Sequence, residues 1–259
     1  MLDEGVRSLK AAGVPTPRLD AELLVAEALG VDRGALFSAP EQEVSEEAAE
    51  MCAELLGRRC EREPVAYILG RKGFRWIELE IDPRVLIPRA ETELLVEVAL
   101  DLPQESRVHE VGVGSGAVAL AVKHERPDLR VSASDASSDA LAVARRNAEA
   151  LELDVDLTEA RDLPPGEYDL VLANMPYIRE DEWDTLAPEL TLYEPPEAFL
   201  AGPDGLDAIR GLVRSAPSGT RLALEHDRAQ AEAVRGLLAE AESRRGLDGG
   251  EWVTAGLVP

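Results

Sequence analysis

The sequence predicts a doubly wound α/β sheet preceded by a small all-α domain. Apolar residues follow helical spacing through the first part of the chain, and strand and helix patterns alternate after it. Closely spaced glycines lie between the first of these strands and the next helix. Because strands that alternate with helices form parallel sheets covered on both faces, the second part is expected to be doubly wound.

The helical domain is predicted to span residues 1–70. Leu19 and Leu29 belong to an apolar stripe of helical spacing, and Gly30 follows it, where a left-handed C-cap is favoured. Ser45 is a predicted N-cap because acidic residues fill the turn that follows it. These patterns predict a domain made of helices.

A hairpin connector is predicted over residues 71–90. Ile77, Leu79 and Ile81 alternate with acidic residues, which is the period of a half-buried strand. Two prolines then bracket a short extended segment. The hairpin is expected to join the helical domain to the sheet domain.

The sheet domain is predicted to span residues 91–259. Its strands and helices alternate with the lengths that βαβ units require. The predicted helices are 91–100, 117–125, 137–151 and 228–240, and the predicted strands are 107–111, 130–133, 155–158, 168–173 and 220–225.

Charge and composition disfavour several classes of function. The chain carries 27 Lys and Arg against 51 Asp and Glu, a formal net charge of −24. Such a surface repels phosphate backbones, so no direct nucleic-acid binding is expected. No apolar run reaches the roughly 18 residues of a membrane span, and acidic residues stand where a signal peptide needs basic ones. We expect a cytoplasmic monomer without membrane association and, with two cysteines and no CxxC pair, without a metal.

The glycine-rich turn runs from Glu110 to Gly116 with the sequence Glu-Val-Gly-Val-Gly-Ser-Gly. Three glycines at alternate positions let the backbone turn sharply and let a ligand lie against bare peptide. The GxGxG spacing differs from the dinucleotide motif GxGxxG and from a phosphate-binding loop ending in GK[ST]. The turn therefore predicts a ligand site that lacks a pyrophosphate-binding element.

Acidic residues follow the next two strands. Asp135 ends the second strand, where a carboxylate can accept bonds from both ribose hydroxyls, although it could also cap the next helix. Asp162 and Leu163 follow the third strand, where adenine would meet an acid and an apolar side chain. A nucleoside site of this kind suits S-adenosyl-L-methionine better than NAD. The predicted cofactor-binding residues are Glu110, Gly112, Val113, Gly114, Ser115, Gly116, Asp135, Ala136, Asp162, Leu163 and Asn174.

The fourth strand leads into the tetrapeptide Asn174-Met175-Pro176-Tyr177. Pro176 forces Met175 into an extended conformation, which aims the Asn174 amide and the Met175 carbonyl in one direction. Two acceptors beside an aromatic ring suit a planar group that bears an NH2. Amides and the amines of adenine and cytosine all qualify, so this loop predicts an amino-group site without identifying the acceptor.

Taken together, these motifs resemble the HemK/PrmC family, the release-factor glutamine N5-methyltransferases. The resemblance covers nearly the whole chain. It is carried by the stretches 63–70, 85–93, 110–116, 140–147, 174–178, 193–195, 205–207 and 222–225, together with Asp135. It implies a Rossmann-like class I methyltransferase sheet and an N-terminal domain that recognises the release factor.

The same resemblance implies an activity. The enzyme would transfer a methyl group from S-adenosyl-L-methionine to the glutamine amide in the GGQ motif of peptide chain release factors, leaving S-adenosyl-L-homocysteine. The implied catalytic residues are Asn174, Met175, Pro176 and Tyr177. The implied substrate-binding residues are these four and Arg89.

Several departures from the family pattern leave alternatives open. Met175 stands in place of the first proline of Asn-Pro-Pro-Tyr, Ala90 replaces a usual proline, and His226-Asp227 stands where Ile-Gly is usual. The alternatives are a diverged enzyme acting on a small molecule or another protein, a nucleic-acid amino-methyltransferase, and a catalytically silent binding protein. None of the three histidines lies in the amino-group loop, and only His226 is predicted to end a strand.

Overall fold

The structure is a computed structural model that describes residues 1–38 and 43–259. Two compact units make up the chain: Met1–Arg71 with Ala187–Tyr193, and Lys72–Leu186 with Glu194–Pro259.

The helices are α1 (Leu2–Ala11), α2 (Pro17–Leu29), α3 (Ala35–Ser38), α4 (Glu46–Cys60), α5 (Val65–Leu69), α6 (Glu93–Leu100), α7 (Ala117–Glu125), α8 (Ser138–Ala150), α9 (Pro188–Tyr193), α10 (Asp207–Ser215) and α11 (Ala231–Arg235). The strands are β1 (Arg71–Phe74), β2 (Ile77–Glu80), β3 (Arg107–Val111), β4 (Arg130–Asp135), β5 (Asp156–Glu159), β6 (Leu170–Ala173), β7 (Arg221–Glu225), β8 (Ala239–Arg245) and β9 (Glu251–Leu257). Short 3₁₀ helices cover Glu180–Thr185, Pro196–Ala198 and Arg228–Gln230.

The first unit is built from α1 to α5 together with α9, a helix that the sequence analysis did not assign to it. A buried guanidinium joins these pieces, since Arg59 donates from Nε to Asp20 at 2.8 Å and from Nη2 to Glu189 at 2.8 Å. Arg62 holds the other oxygen of Glu189 at 2.6 Å. A buried charge of this kind requires its partners, so removing one of them is expected to destabilise the unit strongly.

The second unit contains a seven-stranded sheet of order β5-β4-β3-β6-β7-β9-β8. The first five strands in this order pair in parallel, and β9 pairs antiparallel with both β7 and β8. Strand β6 is fully buried, as expected for a central strand that helices cover on both faces. The predicted α/β class with an N-terminal helical region is confirmed, and the sheet is mixed.

The predicted helix over 228–240 is wrong in its second half. Helix α11 ends at Arg235, and residues 239–245 form the edge strand β8. This segment is rich in Ala, Glu and Arg, which favour helices intrinsically, so its own pattern predicts a helix. Its pairing with the apolar strand β9 overrides that preference.

The buried side chain of Asn147 ties the hairpin of β1 and β2 to the sheet unit. Asn147 on α8 exchanges hydrogen bonds with the backbone of Glu80, accepting at 2.8 Å and donating at 2.9 Å. Its amide also donates to the Ser115 carbonyl at 2.8 Å. Asn147 therefore fixes the hairpin and the glycine-rich turn against the same helix.

Among the described residues, no helix is both long and apolar enough to cross a membrane.

Candidate active site

A cavity of about 660 Å³ opens in the second unit, beside the carboxyl ends of β3, β4 and β6. Ligands of open α/β sheets bind at such strand ends, where the loops after neighbouring strands converge. Most of the residues predicted from sequence line it: Glu110, Gly112, Val113, Gly114, Ser115, Asp135, Ala136, Asp162, Asn174, Met175 and Pro176.

The turn after β3 presents bare backbone to this cavity. Gly112, Gly114 and Gly116 all have positive φ angles, of 79°, 53° and 90°, which glycine adopts without strain. The space where a Cβ would stand on Gly114 is open, so a ligand can approach its peptide closely. A Cβ on Gly116 would instead lie 2.7 Å from Leu120. Gly116 is thus needed for packing of the helix start, and it does not line the cavity.

Asp135 accepts two backbone hydrogen bonds and closes this turn. Its Oδ2 accepts from the Gly114 N–H at 2.9 Å, and its Oδ1 accepts from the Ser137 N–H at 2.9 Å. The N-cap of α8 is Ser137, whose hydroxyl accepts from Ala140. The capping alternative for Asp135 therefore does not hold, and its half-buried carboxylate faces the cavity.

Glu110 carries a buried carboxyl group at the end of β3. Burial raises its pKa well above the usual value, and the nearby charge of Asp135 raises it further, against a hydrogen bond from the Ala119 N–H at 2.8 Å. Asp162 also lines the cavity, but its side chain is exposed. The carboxylates of Asp135 and Asp162 give this wall of the cavity a preference for cationic ligands.

The Asn-Met-Pro-Tyr loop is anchored on both sides. The buried strand β6 leads into it, and after it the Ile178 N–H donates to the Phe199 carbonyl at 2.7 Å. Gln230 holds the last residue of the loop, because its Nε2 donates to the Tyr177 carbonyl at 2.9 Å. Asn174 and Met175 are thereby placed on a rigid support facing the cavity.

The Asn174 amide is oriented by a threonine. Its Nδ2 donates to the Thr92 Oγ1 at 3.1 Å, which turns Oδ1 away from Thr92. Neither Asn174 Oδ1 nor the Met175 carbonyl accepts a hydrogen bond from any residue that the structure describes. Two acceptors are therefore left for a ligand, as the sequence predicts.

Behind this loop lies a buried glutamate at the end of β7. Glu225 is 1% exposed, and its Oε2 has no hydrogen-bond partner within residues 1–38 and 43–259. Burial raises the pKa of this carboxyl group to about 7. Burial and the Glu225 charge also raise the pKa of Tyr177, which keeps its hydroxyl protonated at neutral pH.

Three further residues predicted from sequence do not line the cavity. Tyr177 lies beside Glu225, so its stacking on an acceptor stays a prediction. Leu163 packs against the buried core cluster. Arg89 pairs with the buried Glu194 at 2.5 Å, and Glu194 also accepts from the Ile87 N–H at 2.9 Å. Arg89 thus holds the segment beside the cavity, and a direct contact with substrate stays a prediction.

Sequence reasoning assigned no role to several residues that position the site. Thr92, Asn147, Glu194 and Glu225 lie within the stretches that carry the family resemblance, which was the available signal. Their partners lie far away along the chain, so spacing alone predicts none of these contacts. Gln230 lies outside those stretches, and the sequence contained no comparable signal for it.

Two of the three histidines have structural partners. His109 lies in β3 between the hydroxyls of Ser132 and Ser134, and burial lowers its pKa to about 4. His226 follows β7 and contacts Thr254 at 2.8 Å and the Asp227 carbonyl at 2.9 Å. Within the described ranges, no group of three His, Cys, Asp or Glu side chains is placed to hold a metal ion.

Comparisons with known proteins identify the family of the chain. Residues 1–70 match the family model described as PrmC N-terminal domain, and residues 90–192 match Methyltransferase small domain. The release factor glutamine methyltransferase of Caulobacter vibrioides is 41% identical over 247 residues, covering 90% of this chain and 85% of the relative. The protein of the same name from Xylella fastidiosa strain Temecula1 is 40% identical over 267 residues, covering 97% of each chain.

Solved structures share the fold at low sequence identity. The hMettl16 catalytic domain in complex with MAT2A 3′UTR hairpin 6 superposes with a TM-score of 0.56 at 15% identity, covering 78% of this chain and 81% of that one. A methyltransferase from Pyrococcus furiosus gives a TM-score of 0.50 at 15% identity, covering 78% and 96%. These matches support the methyltransferase fold alone.

Proposed function

Because the chain belongs to the release factor glutamine methyltransferase family, we propose that it methylates the glutamine side-chain amide in the Gly-Gly-Gln motif of a peptide chain release factor. The methyl donor is S-adenosyl-L-methionine, and S-adenosyl-L-homocysteine is the product. The observation that carries this function is the pair of free acceptors on Asn174 and Met175 beside an acidic, glycine-lined cavity.

The cavity residues fit the cofactor in shape and charge. The open face of Gly114 admits a ligand against bare peptide, and the carboxylate of Asp135 suits a molecule with a cationic sulfonium and amine. When bound, the cofactor supplies an electrophilic methyl group. We propose that the predicted cofactor-binding residues hold it through the turn after β3, the strand end at Asp135 and the segment after β5 that contains Asp162. Gly116 and Leu163 do not line the cavity, so they would support the cofactor site indirectly, Gly116 by its packing against Leu120 and Leu163 by its packing against the core.

The acceptor geometry addresses the weak nucleophilicity of an amide nitrogen. Its lone pair is delocalised, so positive charge grows on nitrogen as the methyl group arrives. Asn174 Oδ1 and the Met175 carbonyl can each accept one N–H of the substrate amide and stabilise that charge. Preorganised groups of this kind contribute about 10²-fold or more each, and holding the amide in line adds the proximity effect.

We propose that the unit formed by Met1–Arg71 and Ala187–Tyr193 recognises the protein substrate. It exposes apolar side chains, including Phe37, Met51 and Leu192. Exposed apolar groups on a folded unit favour protein contacts. We also propose that the enzyme is a cytoplasmic monomer, since its substrate takes part in translation termination.

The recognition proposal is tested by comparing two substrates. Met51→Glu should raise KM for an intact release factor and leave KM for a short Gly-Gly-Gln peptide unchanged. Trp76→Glu is the matched control, because Trp76 is an exposed apolar residue of the other unit. If Met51→Glu changed KM equally for both substrates, the surface around Met51 would not be the recognition surface for the release factor.

The activity itself is tested with isotope-labelled S-adenosyl-L-methionine and a Gly-Gly-Gln peptide, with the product located by mass spectrometry. Label on the glutamine side chain is the expected result, and a Gly-Gly-Glu peptide should stay unlabelled. Small amines and an adenine-containing oligonucleotide are included as competing acceptors. Label on either of them, with none on glutamine, would contradict the proposal.

A further inference from the structure

We propose that Gln230 is a positioning residue that, together with the bare backbone of Gly205, holds the Asn-Met-Pro-Tyr loop at Tyr177. This inference rests on the proposed function, since it concerns how the loop keeps its acceptors in place for an NH2 group. Gln230 and Gly205 do not line the cavity, so both act on the reaction only through the loop.

The loop cannot be held by its own acceptor groups. Asn174 Oδ1 and the Met175 carbonyl must stay unpaired to bind a substrate, and neither accepts a hydrogen bond from the described part of the chain. Pro176 has no N–H group, so it adds no donor. The peptide group between Tyr177 and Ile178, in contrast, can be fixed without blocking either acceptor.

That peptide group is bonded at both ends. Its N–H, which belongs to Ile178, donates to the Phe199 carbonyl at 2.7 Å. Its carbonyl, which belongs to Tyr177, accepts from Gln230 Nε2 at 2.9 Å. A peptide group that is bonded through both its N–H and its carbonyl cannot rotate without breaking a hydrogen bond. These two bonds therefore fix the end of the loop.

The surroundings of the Gln230 amide allow one orientation. Its Oε1 accepts from the Asp227 N–H at 3.1 Å. Its Nε2 donates to the Tyr177 carbonyl and also lies 3.3 Å from the carbonyl oxygens of Asp204 and Gly205. Because carbonyls only accept, exchanging the amide oxygen and nitrogen would place oxygen against oxygen at all three contacts. The site therefore requires a donor at position 230, and a carboxylate of the same shape would be repelled.

The missing side chain of Gly205 is independent evidence for this contact. A Cβ on Gly205 would stand 2.3 Å from the Tyr177 carbonyl oxygen and 2.7 Å from Gln230 Nε2. The φ angle of Gly205 is +72°, which glycine adopts without strain. A side chain at position 205 would thus push Tyr177 and Gln230 apart.

The turn that contains Gly205 leads into a helix that lines the cavity. Helix α10 begins at Asp207, and its residues Ala208 and Gly211 face the cavity. Gln230 therefore connects the loop that carries the acceptors to the start of this helix. Because a displacement of about 1 Å at the reacting groups can cost about 10²-fold in rate, loosening this connection should affect turnover.

The first experiment measures kcat and KM for Gly-Gly-Gln peptide methylation, with cofactor affinity from calorimetry as the check on folding. Gln230→Met keeps the length of the side chain but removes the donor, and it should lower kcat between about tenfold and 10²-fold. KM and cofactor affinity should change less, because the acceptor bonds strengthen as charge develops on the amide nitrogen. A wild-type kcat in Gln230→Met would overturn the proposal.

Gln230→Glu provides a pH profile that a purely structural role would not produce. An ionised Glu cannot donate and is repelled by the carbonyl oxygens, whereas a protonated Glu can donate its O–H to the Tyr177 carbonyl. Relative to wild type, kcat of this variant should lie below that of Gln230→Met near pH 8 and rise as the pH falls to about 5.5. The relative kcat of Gln230→Met should stay constant. A constant relative kcat in Gln230→Glu would overturn the proposal.

The neighbouring acidic residues have partners of their own. Asp204 pairs with Arg210 at 2.6 Å, which lowers the pKa of Asp204. Asp227 Oδ1 accepts from the Ala229 N–H at 2.8 Å. Both carboxyl groups are present in wild type, Gln230→Met and Gln230→Glu alike. A pH effect confined to Gln230→Glu therefore belongs to the introduced carboxyl group.

Gly205→Ala tests the same contact from its other side. The new Cβ should lower kcat at least as much as Gln230→Met does. Gly219→Ala is the matched control, because Gly219 also has a positive φ, of 82°, while the space at its Cβ is open among the described residues. The double variant Gly205→Ala with Gln230→Met should be no slower than Gly205→Ala, since both changes break one contact. Multiplying losses, or equal losses in Gly205→Ala and Gly219→Ala, would overturn the proposal.

A second measurement does not depend on the acceptor. The Ile178 N–H belongs to the peptide group that Gln230 holds, so its hydrogen exchange reports this contact. Exchange at Ile178, followed in nitrogen-15 spectra, should be about fivefold faster in Gln230→Met than in wild type, the scale of one hydrogen bond. If the wild type methylates no glutamine, the proposed function fails, and this exchange still decides the positioning proposal. Equal exchange in wild type and Gln230→Met would overturn it.

Discussion

The turn after β3 and the loop after β6 meet at one cavity, but they are held in opposite ways. In the turn, Asp135 accepts from the Gly114 and Ser137 N–H groups, so the polar groups are already satisfied by neighbouring backbone. In the loop, Asn174 keeps its oxygen free and is held by a side chain 82 residues earlier in the chain. Hydrogen bonds between the Asp135 carboxylate and nearby backbone N–H groups stabilise the turn, whereas the loop keeps unpaired acceptors for its ligand.

The two regions also differ in how they affect the stability of the fold. Unpaired acceptors and a buried carboxyl such as Glu225 lower the stability of the fold, and active sites commonly retain groups of this kind for function. Substitutions in the turn should therefore affect binding, and substitutions in or behind the loop should affect turnover or raise stability. The predictions below separate these two effects.

The largest effect is expected for Asn174→Ala. Removing this acceptor should lower kcat by at least about 10²-fold, since the bond strengthens as charge develops on the amide nitrogen. Cofactor affinity, measured by calorimetry, should change much less. Asn174→Asp is the companion variant, because it keeps the size of the side chain but adds negative charge and loses the donor to Thr92. Full activity of Asn174→Ala on any acceptor would refute the mechanism.

Asp135→Ala, a substitution in the turn region, should affect cofactor binding more than turnover. Cofactor affinity should weaken by about 1.5–3 kcal/mol, the scale of hydrogen bonds to a charged group. Asp162→Ala serves as the control, because Asp162 lines the same cavity with an exposed side chain. Its removal should weaken cofactor affinity less than the removal of Asp135 does. An unchanged dissociation constant for Asp135→Ala would remove Asp135 from the cofactor site.

Glu225→Gln should stabilise the protein at neutral and basic pH. The folded pKa of about 7 lies above the ordinary value of 4.5, so the wild type loses stability as pH rises from about 4.5 to 7. Gln cannot ionise, and its advantage should reach at most about 3 kcal/mol above pH 7 and disappear near pH 4. Urea unfolding at several pH values measures this difference.

Glu194→Gln is the contrasting variant for that experiment. Glu194 is also buried, but it pairs with Arg89 and the Ile87 N–H. Breaking a satisfied buried pair should lower stability, where removing the poorly satisfied Glu225 carboxylate raises it. Destabilisation by Glu225→Gln at pH 8 would mean that this carboxylate has favourable partners after all.

The smallest effect is expected for Met175→Pro. The Met175 N–H donates no hydrogen bond to the described part of the chain, so proline removes none there, and the carbonyl remains. Glutamine methylation should then change by less than about tenfold in kcat. Met175→Leu controls for the loss of the side chain, whose sulfur lies against Gly112. Loss of the native reaction in Met175→Pro alone would mean that Met175 shapes a pocket for a different acceptor.

Local patterns were sufficient for much of the fold and part of the site. Gly112, Gly114 and the strand end at Asp135 follow from strand period and turn chemistry, and all three residues line the cavity. The same approach failed at residues 239–245, where a helix-favouring composition pairs as an edge strand. It also missed α9 as a part of the helical unit, because Arg59 and Glu189 lie 130 residues apart.

The sequence by itself determined the order of strands and helices from α6 to β6, the bare turn at Gly114 and the candidate acceptors at Asn174 and Met175. These depend on residue type and short spacing, which are local properties. Only the tertiary structure decided what holds the acceptors in place. Thr92 and Gln230 reach the loop from separate elements. Burial, which raises the pKa of Glu225, exists only once the elements pack together.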